Sequence, residues 1–449
     1  MSIKTLTNWV LGCIIIKLKK KKEAIFLIKS YIKMIKREFS GYNGKKFSKD
    51  LMAGITVTAV ALPLALAFGE ACGASASAGL VTAIIAGIVI SILSGASFQI
   101  SGPTGAMSAV LVGVVASFGL DGVFVVSLMA GILVLLVAIL GLGRFVELIP
   151  KPVVTGFTSG IALIIALGQI DNFFGTLSEG EGAVPKLAYF ISNNLGNINL
   201  SAVVTALIVV VIMVVWPKKW GAVVPSSLIG LIVASAVSVG LKLDVAVVGE
   251  IPKTIFLEER LDLSLVEWSK ITGYLSPAIS IAALAMIESL LCGASASKMK
   301  NEPFDANIEL VAQGVGNIIV PFFGGVPATA AIARTSVAIK SGAVTRLCGV
   351  IHALGLLLSM FLLAPVMAKV PMSALAGVLM VTAWRMNEWA EIKHFFKNKM
   401  GGAISQFFIT MVATVVFDLT VAIVIGILYS VLLSFVKNGF KFKGMSRYL

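Results

Sequence analysis

Charge is scarce in this chain: 13% of its 449 residues are charged against 58% hydrophobic, and the mean hydropathy is +1.00. A disordered chain needs the reverse balance, and a soluble globule carries about a quarter charged residues, so both classes are excluded. Histidine is nearly absent, with only His352 and His394, which leaves little from which to build a histidine metal centre or a catalytic triad. The four cysteines, Cys13, Cys72, Cys292 and Cys348, are scattered without a CxxC pair, which argues against a disulfide framework and reads as free thiols. What remains is a helical polytopic membrane protein. At about 20 residues per crossing plus short loops, the length holds roughly 12 to 14 spans.

Acidic residues are rarest at the two ends. Residues 1–49 hold 13 Lys/Arg and two acids, Glu23 and Glu38, for a charge of +11 out of the chain's +14. Lys437, Lys441, Lys443 and Arg447 follow Val436 with no acid among them. Basic ends that flank spans follow the positive-inside rule and need no nucleic acid, so both termini are expected in the cytoplasm and the chain in the inner cell membrane. The first residues are not a secretory signal, because the apolar stretch Val10–Ile16 precedes the Lys19–Lys22 run. The stretch Ala24–Phe39 mixes Ile and Phe with Lys at helical spacing and reads as an interfacial helix, with a frayed tail as the alternative.

From Asp50 onward the hydropathy predicts spans near 51–70, 77–95, 103–118, 122–142, 152–170, 199–216, 222–241, 274–292, 307–323, 328–341, 343–364, 371–384, 403–417 and 419–436. The short cytoplasmic loops then hold Arg144, Lys151, Lys218, Lys219, Lys298, Lys300, Lys340, Arg346, Arg385, Lys393, Lys397 and Lys399, while the short opposite ones hold only Lys369. The organisation expected is a basic arm (1–49), a first repeat (50–241), an extracytoplasmic connection (242–273), a second repeat (274–436) and a basic tail (437–449).

Two of these spans are too short to cross alone. One opens at Pro103 in QISGPTGAM (99–107), the other near Ala328 in FFGGVPATA (322–330). Each is interrupted by Ser-Gly or Gly-Gly and a proline, a residue suited to the first turn of a helix. Extended backbone at mid-membrane is tolerated only where protein buries it or it lines a cavity. The chain also repeats itself. CGASAS stands at Cys72–Ser77 and Cys292–Ser297, an offset of 220, and Pro103–Ala106 matches Pro327–Ala330 at an offset of 224. That offset equals seven predicted spans, and an odd number inverts the second copy. The expected fold is thus all-α and polytopic, about 14 segments in two inverted seven-span repeats with half-helices at spans 3 and 10, an arrangement of secondary transporters.

Half-helices starting at the midplane would converge their free N–H groups and dipole ends on one point that favours an anion. Close helix packing at Gly and Pro is the alternative. The residues at these starts are Gly102, Pro103, Thr104, Gly105 and Ala106 in one break, and Ala328, Thr329 and Ala330 in the other. Arg334, read as two turns into the second broken helix, either holds an anion's charge or pairs with a carboxylate. Glu288, in ALAMIESLLCGASAS (283–297), either binds the coupling ion or forms a structural salt bridge with Arg334. Glu70, at the end of the first span, is a second coupling candidate unless it is hydrated at the surface.

The chain resembles the SulP family of anion transporters, the sulfate permease or solute carrier 26 group. The likeness lies in LMAGITVTAVALPLALAFGEACG (51–73), QISGPTGAM, NIELVAQGVGN (307–317), FFGGVPATAAIARTSVAIKSGAVTRL (322–347) and VPMSALAGVLMVTAW (370–384). Asn307, Glu309, Gly314, Asn317 and Arg334 carry its most specific part. The resemblance implies a core domain of spans 1–4 and 8–11 that moves against a gate domain of spans 5–7 and 12–14, with the anion between spans 3 and 10. It puts Phe68 at the aromatic site position and Arg334 at the site arginine, with Ala333 where many relatives carry serine and Leu64 where some carry glutamine. There are three departures. The link 74–80 lacks the usual proline; Glu288-Ser-Leu-Leu-Cys292 stands where the Na⁺-coupled bicarbonate branch has Asp-Ser-Leu-Leu-Thr; and the STAS domain usual after the last span does not follow. The expectation is a secondary carrier of sulfate, bicarbonate or a dicarboxylate, coupled to H⁺ rather than Na⁺, with no other cofactor and no metal. Its partners are a small anion, the bilayer, no nucleic acid, and a second copy of itself if a homodimer forms through the membrane domain. An uncoupled channel or exchanger of the same fold is the alternative. A membrane enzyme would need a nucleophile with a base or a metal cluster, which two histidines do not supply.

Overall fold

A computed structural model describes residues 28–141, 143, 150–180, 182–217, 224–264, 266–417 and 419–438. Most of the basic arm, the basic tail, Arg144, Lys218 and Lys219 lie outside the described residues.

The chain is mostly helical. A helix over 28–38 precedes α1 (Gly44–Ala71), α2 (Ala76–Leu93), α3 (Gly105–Ile139), α4 (Lys151–Gly168), α5 (Leu200–Val215) and α6 (Ser226–Gly240). The second half holds α7 (Ile271–Lys300), α8 (Ala306–Ile319), α9 (Ile332–Lys340), α10 (Leu347–Met367), α11 (Met372–Met386), α12 (Gly401–Val416) and α13 (Leu419–Asn438). Among the described residues seven helices are long and apolar enough to cross a membrane, and α5, α6, α12 and part of α13 are shorter apolar helices. The predicted spans each coincide with helix, the third and fourth as one helix α3 kinked at Gly119, whose φ of 69° leaves the helical region.

Polar side chains punctuate the apolar runs. Asn43 accepts from the Lys46 N–H to start α1, Ser75 from Ala78 for α2, Asn199 from Ser201 and Ala202 for α5, and Asp305 from Asn307 and Ile308 for α8. Asn301, at φ 55°, closes α7 in the left-handed conformation. The hexapeptide CGASAS adopts two structures: its first copy ends α1 and turns through Gly73 into α2, while its second lies inside α7. Identical residues end a helix in one place and continue it in the other because the surroundings differ, with Phe304 packed against Gly293 in the second.

The helices sort into two bodies. α1, α2, α3, α7, α8, α9 and α10 pack on one another, and α4, α5, α6, α11, α12 and α13 form a second group, with α3 against α4 and α1 against α11 and α6 among the contacts between them. This division matches the expected core and gate. Small residues make the seams: a Cβ on Gly131 of α3 would lie 2.8 Å from the Gly314 carbonyl of α8, so only hydrogen fits there.

Three expectations need correction. α1 begins at Gly44, so a domain boundary at residue 50 falls inside a helix. Pro103 and Pro327 do not enter the first turns of helices, because α3 starts at Gly105 and α9 only at Ile332. Both prolines sit in extended backbone beside a two-residue antiparallel ladder, Ser101↔Ala330 and Gly102↔Thr329, and the residues that pair are no longer free to be helical. Arg334 therefore lies in the first turn of α9, not two turns in.

Candidate functional site

The two chain breaks meet each other. Besides the ladder, the Ala331 N–H donates to the Ile100 carbonyl at 3.0 Å. Backbone this deep must have every polar group answered by protein. Side chains of α2 and α8 and backbone carbonyls of α7 supply partners. Thr82 of α2 brackets Val326, accepting from its N–H at 2.7 Å and donating to its carbonyl at 3.0 Å. Asn317 of α8 brackets Ala328 in the same way, both bonds at 2.8 Å. Gln313, one turn before Asn317, donates to the Ser101 hydroxyl at 3.1 Å and to Glu309 at 2.8 Å. Glu309, fully buried, also accepts from the Ser94 hydroxyl at 2.6 Å and the Gly95 N–H at 3.0 Å. From α7 and its surroundings, the Gln99 amide reaches the Ser289 carbonyl and the Thr329 hydroxyl the Ala285 carbonyl.

On this frame two helix starts are left without side-chain caps. Neither Thr104 before α3 nor Ala331 before α9 makes a capping bond. The Thr104 hydroxyl instead donates to the Glu288 carboxylate at 3.0 Å. Arg334, 1% exposed, donates from Nη2 to the Pro103 carbonyl at 3.1 Å, while its Nε and Nη1 have no partner. Gly102 makes room for it, since a Cβ there would lie 2.6 Å from Nη1. The Phe68 ring covers Gly105, where a Cβ would stand 3.0 Å from Cε1 and 2.2 Å from Ile165 Cδ1 of the opposite body. The Ser108 hydroxyl donates to the Phe68 carbonyl at 3.0 Å and ties α1 to α3.

The structure thus brings together Gly102, Pro103, Thr104, Gly105, Phe68, Glu288 and Arg334. Ala106, Ala328, Thr329 and Ala330 are buried beside them, whereas Ala333 is exposed on the outer side of the α9 turn. Glu288 is half-buried and makes no ion pair with Arg334 within 4.0 Å, so the salt-bridge reading of this glutamate is not what the structure holds. Glu70 is elsewhere, its carboxylate accepting from the Ala76 N–H at 2.8 Å at the start of α2.

Burying a cationic group without its partners costs several kcal/mol. Arg334 keeps two donor nitrogens dry and unpaired, beside helix ends that also lack acceptors. Such an arrangement fits an anionic ligand that supplies acceptors to both. One turn beyond Ala106, a cavity of about 550 Å³ opens between the two bodies. Ala109, Gly113 and Ser117 of α3, Ser276 of α7, Thr414 of α12 and Gly182–Pro185 line it.

Gln313 was not singled out by sequence reasoning, nor were Thr82 and Gln99. A signal existed for the first: Glu309, Gln313 and Asn317 recur every four residues on α8, one polar row that is buried throughout.

A helical membrane protein with two broken segments meeting at a buried cation is a transporter in class. The chain belongs to the sulfate permease family, whose description matches residues 47–414, and that family is made up of transporters, not enzymes. It is 39% identical over 87% of its length to "Putative sulfate transporter YvdB" of Bacillus subtilis, covering 74% of that protein. It is 32% identical over 84% of its length to the bicarbonate transporter BicA of Picosynechococcus, covering 68% of it. The solved transmembrane domain of a cyanobacterial BicA is 31% identical and superposes with a TM-score of 0.78 over 85% of this chain and 98% of that one. Murine Slc26a9, solved in an inward-facing state, shares the fold at 16% identity, with a TM-score of 0.78 over 89% of this chain and 70% of that one.

Proposed function

We propose that this chain is a secondary active carrier that takes a small anion, sulfate, bicarbonate or a dicarboxylate, across the membrane by alternating access and couples it to H⁺. The observation that carries the reading is the pair of uncapped helix starts at Thr104 and Ala331 around the unpartnered nitrogens of Arg334. A divalent or carboxylate anion accepts from both helix ends and from the guanidinium at once. The family and its sulfate- and bicarbonate-named members support the anion class.

Glu288 is placed to carry the coupling proton. Its carboxylate takes a bond from Thr104, the residue that opens α3, so protonation changes the site's charge and a hydrogen bond of its wall together. Glu288 sits in the core body with Thr104 and Arg334, and travels with them when the core slides against α4 and α12. The cavity beyond Ala106 supports entry from the side opposite the N-terminus, with both termini in the cytoplasm.

The test is uptake of labelled sulfate, bicarbonate and a dicarboxylate into proteoliposomes under an imposed pH gradient, with and without Na⁺. Saturable uptake of one anion driven by the pH gradient alone is expected. An absolute need for Na⁺ overturns the H⁺ assignment, and unsaturable flux at channel rates overturns the carrier.

A further inference from the structure

The helix over 28–38 has two faces of different character. Ser30, Tyr31, Met34, Ile35 and Glu38 are turned towards the protein, while Ile28, Lys29, Ile32, Lys33, Lys36 and Arg37 are exposed. The inward face is fastened at three helix ends. The Glu38 carboxylate accepts from Arg346 Nε at 2.9 Å, Nη2 at 2.8 Å and the backbone N–H at 2.6 Å, with both side chains 5% exposed. Arg346 also donates to the Ile92 and Ser94 carbonyls at the end of α2, and its guanidinium lies over the Tyr31 ring. Tyr31 donates to Ile92 at 2.6 Å, and Ser30 to Asp305, the cap of α8, at 3.2 Å. The helix is therefore bolted to α2, α8 and α10, all members of the core body.

The outward face has no partner among the described residues. It carries four cations and no acid, since Glu38, the helix's one carboxylate, is turned inward. Ile28 and Ile32, 59% and 46% exposed, stand one turn apart among the basic residues. This helix leads within a few residues into α1, which crosses the membrane, so it lies at the headgroup level. A face of lysines and isoleucines at that depth is complementary to an anionic lipid surface: the cations meet headgroups and the isoleucines enter the acyl boundary.

We propose that this helix is a strap that binds anionic phospholipid headgroups of the leaflet on the N-terminal side through Lys29, Lys33, Lys36 and Arg37. Through the Glu38–Arg346 pair it hands that attachment to the core. Membrane charge then acts on the core body through this helix. The inference does not rest on the substrate or on the coupling ion.

The test is hydrogen–deuterium exchange of the full-length chain in nanodiscs of phosphatidylcholine alone and with phosphatidylglycerol. In the wild type, phosphatidylglycerol slows exchange over residues 28–38 by about tenfold or more, as four cations near a charged surface imply, and slows it also at the first turn of α10. The variant K29Q/K33Q/K36Q/R37Q, altered at exposed positions only, loses both responses, and raised salt abolishes them in the wild type. Glu38→Gln keeps protection of the helix and loses that of α10. Equal exchange in both lipids, or a quadruple variant that still responds, overturns the lipid site. A Glu38→Gln chain in which α10 still responds overturns the link to the core. A chain that moves no anion in any vesicle leaves these exchange results as they are, so failure of the carrier reading is seen separately.

Discussion

Two buried arginines in the core body face glutamates, and they are treated in opposite ways. Arg346 finds a partner for every guanidinium nitrogen, on Glu38 and on the carbonyls that end α2. Arg334 makes one bond, to the Pro103 carbonyl, and leaves Nε and Nη1 unpaired although Glu288 lies within electrostatic reach. Glu288 gives its attention to Thr104 instead. The same residue pair is a rivet at one level of the protein and an open valence at another. The dry, unpaired nitrogens of Arg334 are the feature on which the proposed anion site rests.

The sharpest way to break this contrast is at the rivet. Arg346→Ala strands a buried carboxylate and is expected to cost about 3–5 kcal/mol of stability, read by thermal or denaturant unfolding, while uptake per folded molecule survives. Arg334→Ala should do the reverse, with a melting temperature near wild type and transport reduced about 100-fold, the loss of a charge-assisted interaction near 3 kcal/mol. Equal damage to stability in both variants would erase the distinction. Glu288→Gln keeps the Thr104 bond but not the titration. Accumulation driven by a pH gradient should be lost while anion exchange continues, and an undiminished response to the gradient would return this glutamate to a structural role. Gly102→Ala places a methyl against Arg334 Nη1 and should weaken anion affinity about tenfold, through overpacking worth about 1–3 kcal/mol, with Gly44→Ala in open space as the silent control.

The smallest effect belongs to the anchor beside the rivet. Asp50 accepts from the Val344 and Thr345 backbone, the Thr345 hydroxyl and the Tyr42 phenol. Burial, and then the bond to Asp50, push the Tyr42 phenol up to about 12. The neutral phenol is the form the fold favours, so its contribution is complete below the ordinary value of about 10 and is lost as pH rises from there through about 12. Tyr42→Phe should cost about 1 kcal/mol at neutral pH and flatten that alkaline loss in a melting series.

The spans were readable because runs such as Leu200–Val215 and Leu347–Met367 announce themselves residue by residue. The break regions were readable as interruptions, and Arg334 and Glu288 as expensive ionisable residues inside apolar sequence. Their geometry was not. The start of α9 moved to Ile332 because residues 329–330 pair with residues 101–102, more than two hundred positions away, and no local propensity records that. Glu70 looked like Glu288 in sequence, yet it is occupied with the first turn of α2. Gln313 is legible in sequence only as the middle of the row Glu309, Gln313 and Asn317, and its partners Ser101 and Glu309 are visible only in the packed structure.

By itself the sequence determined the membrane class, the helical runs and the positions of the breaks, because transfer of apolar residues into hydrocarbon is local and sums along the chain. The tertiary structure decided which polar groups are answered and which are left open. Whether Arg334 or Arg346 is paired depends on what stands across a gap of about 3 Å, and that is set by residues remote in the chain whose hydrogen bonds and desolvation balance only once the helices are packed.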